Sequence, residues 1–100
     1  MAHDILVVDD EADIRLLISG LLEDEGYQAR LAVDADTALA AVEARRPSLI
    51  VLDVWLEGSR VDGIELLAEL QEAAPEVPVV MISGHGTIEV AVAAIHAGAF

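Results

Sequence analysis

The sequence predicts a doubly wound α/β domain on a parallel sheet. Three apolar runs, Ile5-Leu6-Val7-Val8, Leu49-Ile50-Val51-Leu52 and Val79-Val80-Met81-Ile82, lack polar alternation, as strands covered on both faces require. Segments of helical periodicity separate them, giving four consecutive βα units with no linker, low-complexity stretch or internal repeat. Right-handed crossovers between parallel strands then place helices on both faces of one sheet.

Asp4 to Val8 reads as the first strand. Ala12 to Glu25 reads as a helix whose stripe is Ile14, Leu17, Ile18, Leu21 and Leu22, with Gly26 as its C-terminal cap. Tyr27 to Val33 forms a short strand. Asp34-Ala35-Asp36 then leads into an alanine-rich helix that closes near Arg45-Arg46, before Pro47. Leu49 to Asp53 is the third strand. After a loop through Gly58-Ser59, a helix starts at Asp62 or Gly63 and ends at Ala73, with Ile64, Leu66, Leu67 and Leu70 toward the sheet. Pro75 and Pro78 bracket a turn before a strand from Val79 to Ser83. Thr87 opens a last helix with Ile88, Ala91, Val92 and Ile95 on one side and Gly98 at its end.

A chain of 100 residues with 55% hydrophobic content suits one small domain with a real core. Nineteen acidic residues against five basic ones give a net charge of −14, which repels phosphate backbones and argues against nucleic-acid binding by this segment. The basic residues are all arginines: Arg15, Arg30, Arg45, Arg46 and Arg60. No apolar stretch approaches the roughly 20 residues of a membrane span, and Met1-Ala2-His3-Asp4 lacks the character of a signal peptide. A cytoplasmic protein without membrane contact is expected, and the absence of cysteine agrees with that compartment.

The polar residues that matter stand at the carboxyl ends of the strands: Asp9-Asp10-Glu11, Asp53 and Ser83-Gly84. In an open α/β sheet that edge binds ligands. Taken singly, Asp9 or Asp10 also suits a helix cap and Asp53 a solvated strand end. Taken together they describe a site. Crowded carboxylates repel unless a cation neutralises them, and Mg²⁺ accepts one or two carboxylates, waters and a phosphate. Asp10 and Asp53 are the expected direct ligands, with Asp9 acting through water and the Ser83 hydroxyl meeting a phosphoryl oxygen. A carboxylate beside such a metal can attack phosphorus and form an aspartyl phosphate; Asp53 is the candidate nucleophile. His85 suits a solvated loop or a gating role, and Trp55 suits either a cover over the pocket or surface packing. His3 and His96 have no ligand spacing.

Val7-Val8-Asp9-Asp10-Glu11, Leu52-Asp53, Asp62-Gly63 and Met81-Ile82-Ser83-Gly84-His85 resemble the motifs of response-regulator receiver domains across the whole chain. The resemblance implies a flavodoxin-like fold of five βα units in strand order 2-1-3-4-5. It makes Asp53 the phosphoacceptor, Asp9 and Asp10 the acidic pair, Ser83 the switch hydroxyl and the Trp55 backbone carbonyl a further Mg²⁺ ligand. The implied donor is a phosphohistidine on a sensor histidine kinase, with the receiver catalysing only its own phosphotransfer and dephosphorylation. Trp55 and His85 match positions that tune loss of the phosphoryl group. The loop Trp55-Leu56-Glu57-Gly58-Ser59-Arg60-Val61, with Ile82-Ser83-Gly84-His85-Gly86, resembles nitrogen-regulation regulators of the NtrX type. In such a regulator residues 1–100 are the receiver, and a transcription-activating ATPase and a DNA-binding domain follow.

Two departures accompany the resemblance. Receivers carry a lysine after the fifth strand, whereas this chain ends at Gly98-Ala99-Phe100 and contains no lysine. A truncated receiver lacking its fifth βα unit is expected, with slow phosphorylation or a broken readout. Val79 to Ile82 would then be an exposed apolar edge, from which self-association as a dimer follows. Two other readings use the same residues: a Mg²⁺-dependent phosphohydrolase with Asp53 as turnover nucleophile, and an interaction module that never uses phosphate. The hydrolase usually needs a second acid two residues on, where Trp55 stands.

Overall fold

Strands and helices alternate through the computed structural model, which describes residues 3–54, 56 and 62–82. The elements are β1 (Asp4–Val8), α1 (Ala12–Asp24), β2 (Gln28–Ala32), α2 (Ala35–Ala44), β3 (Leu49–Asp53), α3 (Gly63–Ala73) and β4 (Val79–Ile82). All pairings are parallel, in the order β2-β1-β3-β4. This is the expected flavodoxin-like order as far as the fourth strand. Ser83 and the helix expected from Thr87 lie outside the described residues.

The unbroken apolar strands divide their side chains between two core layers, because successive residues point to opposite faces. Ile5 and Val7 of β1 join Leu49 and Val51 of β3 under α1, which contributes Ile14, Ile18 and Leu22. Leu6, Val8, Ile50 and Leu52 face the other way, against Ala35, Ala38 and Val42 of α2 and Leu66 and Leu70 of α3. Every residue of β3 is buried, as a central strand between two helical layers requires.

Two expected core residues face solvent: Leu17 is 48% exposed and Ile64 62%. Each helical residue advances about 100°. The inward line of α1 is Ile14, Ile18 and Leu22, which leaves Leu17 well round the cylinder from its centre. On α3 the inward residues are Gly63, Leu66 and Leu70, and Ile64 points almost the opposite way. The apolar stripe of each helix is wider than the face the sheet covers.

Local chemistry sets the helix ends. At the end of α1, Gly26 adopts φ 91°, its N–H donates to the Glu23 carbonyl and the Tyr27 N–H to the Leu22 carbonyl, each at 3.0 Å. These two bonds form a Schellman motif, for which glycine has no Cβ penalty. Asp34 and Thr37 form a reciprocal capping box on α2. Asp62 caps α3 by accepting the Glu65 N–H at 2.9 Å. At the amino edge of the sheet Asp4 holds Arg30 at 2.8 Å and Arg45 at 3.1 Å. Arg30 also donates to the Ala41 and Arg45 carbonyls, tying β1, β2 and the end of α2 together.

Gly63 brings α3 against the end of β3. Its N–H donates to the Val54 carbonyl at 3.0 Å. A Cβ at this position would strike the Asp53 carbonyl and stand 2.7 Å from both Cα and the carbonyl oxygen of Val54. Backbone cannot rotate aside as a side chain can. Gly63→Ala is therefore expected to lower stability by about 2–3 kcal/mol, read by urea unfolding, and an unchanged midpoint would refute the close contact.

Candidate functional site

The parallel pairing of β1 with β3 aligns Val8 with Leu52, so the next residues, Asp9 and Asp53, emerge side by side at the carboxyl edge. Asp53 itself is the last residue of β3 and pairs with Ile82 of β4. The Val54 N–H continues this ladder to the Ile82 carbonyl at 2.9 Å. One carboxylate oxygen from each of Asp9, Asp10 and Asp53 lies within 4.8 Å of the others. The three acidic residues expected at the site are thus brought together. Ser83, His85 and Trp55 lie outside the described residues.

Asp9 and Asp53 are buried, at 3% and 9% exposure, while Asp10 is half-buried. Burial pushes the Asp9 carboxyl up to about 6 from its ordinary 3.8. The Glu11 N–H, donating to Asp9 Oδ1 at 2.9 Å, opposes that rise, and the charges of Asp53, Asp10 and Glu11 add to it. The alternative in which Asp9 or Asp10 merely caps α1 is not what the helix start shows: Glu11 is the N-cap residue and has no side-chain capping bond. Asp9 instead closes a turn onto the Glu11 N–H.

An all-carboxylate donor set suits a hard divalent cation, which would relieve the mutual repulsion. Arg15, given no role by the sequence reading, donates from Nη1 to the Asp9 carbonyl at 2.7 Å. Its N–H makes an ordinary first-turn helix bond to the Glu11 carbonyl at 3.0 Å, and no sequence signal marks the side chain's bond to a backbone carbonyl.

A flavodoxin-like sheet with three carboxylates gathered at the ends of β1 and β3 defines a class of signalling domain. The model for the response regulator receiver domain matches residues 5–100, and the chain belongs to that family. It is 68% identical over 100 residues to the nitrogen assimilation regulatory protein NtrX of Azorhizobium caulinodans, and covers all of this chain and 22% of that protein. A putative NtrX-like response regulator of Rickettsia bellii is 45% identical over 97 residues, 97% of this chain and 20% of the relative. The crystal structure of the receiver domain of NtrX from Brucella abortus matches with a TM-score of 0.79 and 62% identity, covering 95% of this chain and 79% of that one. The chain thus spans about a fifth of the length of these curated relatives and is a receiver domain of the NtrX type.

An acid whose folded pKa is raised binds its proton more firmly folded than unfolded, so its stability contribution improves as pH falls. Without divalent cations, Asp9 should destabilise the fold fully above pH 6 and progressively less down to about pH 4. The full effect is on the order of 2–3 kcal/mol. Asp9→Asn keeps an acceptor for the Glu11 N–H and is expected to raise stability at pH 7 and flatten the gain between pH 7 and 5. Thermal unfolding in chelator at both pH values checks this, and equal gains in the two proteins would count against it.

Proposed function

We propose that this receiver domain is a phosphorylation switch in which Asp53 accepts a phosphoryl group from the phosphohistidine of a sensor histidine kinase. The observation that carries the reading is the meeting of the Asp9, Asp10 and Asp53 oxygens within 4.8 Å at the carboxyl edge of β1 and β3. Asp9, Asp10, Asp53 and the Trp55 backbone carbonyl would hold Mg²⁺. When bound, Mg²⁺ supplies charge neutralisation for the phosphoryl oxygens.

Asp53 ends a strand buried throughout, so its carboxylate meets the donor from a fixed base. One carboxylate oxygen attacks phosphorus in line; the new P–O bond forms as the P–N bond breaks, and the imidazole nitrogen keeps the electron pair. Water attack at the phosphorus of the acyl phosphate later restores the carboxylate and releases inorganic phosphate. The Ser83 hydroxyl would hydrogen-bond a phosphoryl oxygen and move toward it, repacking the face around the fourth helix. In the parent protein this movement would switch a transcriptional regulator whose ATPase and DNA-binding domains lie beyond this chain. A cytoplasmic location belongs to the same reading, and among the described residues no helix is long and apolar enough to cross a membrane.

Intact mass after incubation with Mg²⁺ and a small-molecule phosphodonor tests the assignment. A gain of one phosphoryl group in the wild-type chain and none in Asp53→Asn is expected. Equal gains in both would sink Asp53 as acceptor. The dimer expected through β4, an outer strand among the described residues, is checked by light scattering; a monomer at high concentration would overturn it.

A further inference from the structure

The backbone at Asp9 is anchored on three sides. Its N–H donates to the Ala32 carbonyl at the end of β2 at 3.1 Å. Its carboxylate accepts the Glu11 N–H at 2.9 Å, and its carbonyl accepts Arg15 Nη1 at 2.7 Å. That carbonyl belongs to the peptide group linking Asp9 to Asp10, and a peptide group is planar and rigid. Whatever fixes the carbonyl therefore fixes the direction in which Asp10 leaves β1. Arg15 is itself restrained: it is half-buried on α1, directly after Ile14, which packs under the sheet.

We propose that Arg15 is a positioning residue for the acidic site: by holding the Asp9 carbonyl it turns the Asp9–Asp10 peptide so that both carboxylates converge with Asp53 on one cation. The inference rests on the Mg²⁺ reading above and deepens it by naming the residue that sets the geometry. A charged donor on a carbonyl makes a short, strong bond, and a guanidinium keeps its charge at every working pH. The arginine thus acts on the backbone, through the Asp9 carbonyl, and not on a carboxylate oxygen of Asp9.

Two physical effects of removing Arg15 have opposite signs, which makes the proposal testable. By Coulomb's law alone, deleting a positive charge bound to the Asp9 carbonyl leaves Mg²⁺ binding unchanged or tightens it. Loss of positioning weakens it. Mg²⁺ is titrated into the 100-residue chain at constant ionic strength, followed by calorimetry and by the fluorescence of Trp55, its one tryptophan. Unfolding in chelator is measured beside it. Arg15→Met is expected to raise the Mg²⁺ dissociation constant about ten-fold. Binding as in the wild type, or tighter, overturns the proposal even if the variant is less stable, since a merely structural arginine would move stability and leave affinity alone. Should Arg15→Met fail to fold, Arg15→Leu, which likewise has no donor for the carbonyl, is judged by the same criterion. A wild-type chain that binds no Mg²⁺ would instead remove the site reading and this inference with it.

Discussion

Repulsion among three carboxylates, imposed by the pairing of β1 with β3, is the constraint around which this domain is arranged. The pairing itself is driven by burial of Ile5 to Val8 against Leu49 to Leu52, each almost wholly removed from water, and such side chains contribute about 1.5–3 kcal/mol apiece. The register that satisfies the core also carries Asp9 beside Asp53. Apolar burial is thus strong enough to hold together acids that would separate on their own. The same burial raises the pKa of Asp9, and the charges of Asp53, Asp10 and Glu11 add to that rise.

A site under tension needs a backbone that does not yield. Gly63 allows α3 to start against the Asp53–Val54 segment, and Asp62 holds that helix start through the Glu65 N–H. The Ile82 carbonyl takes the Val54 N–H, so the chain leaving Asp53 is tied both to β4 and to α3. On the other side Ala32, Glu11 and Arg15 hold Asp9. These bonds come from four different elements or their ends, and only the complete sheet assembles them.

Most of the fold was legible because the strands are simple runs and the turns carry strong local signals. Gly26, Asp34 and Asp62 stand where the caps are, and Leu49–Asp53 matched residue for residue. The acidic triad was legible because strand ends in a parallel sheet share one edge. Leu17 and Ile64 were misplaced because helical periodicity shows an apolar stripe without showing how much of it the sheet covers. Arg15 was not legible at all. Its partner is a carbonyl, which every residue possesses, so nothing in the side-chain pattern marks the bond.

The two ends of β1 show why that choice of partner matters. At the amino end Asp4 gives its carboxylate to Arg30 and Arg45, an arrangement that neutralises the acid and braces β2 and α2. At the carboxyl end the Asp9 carboxylate accepts, among the described residues, the backbone N–H of Glu11, and the arginine takes the carbonyl. A guanidinium on the carboxylate would have relieved the repulsion permanently and occupied the oxygens a cation needs. Placed on the carbonyl, the same residue contributes rigidity and leaves the negative charge in place. A strand that begins in aspartate and runs into another just past its end therefore meets arginine in two ways, on a carboxylate at one end and on a backbone carbonyl at the other.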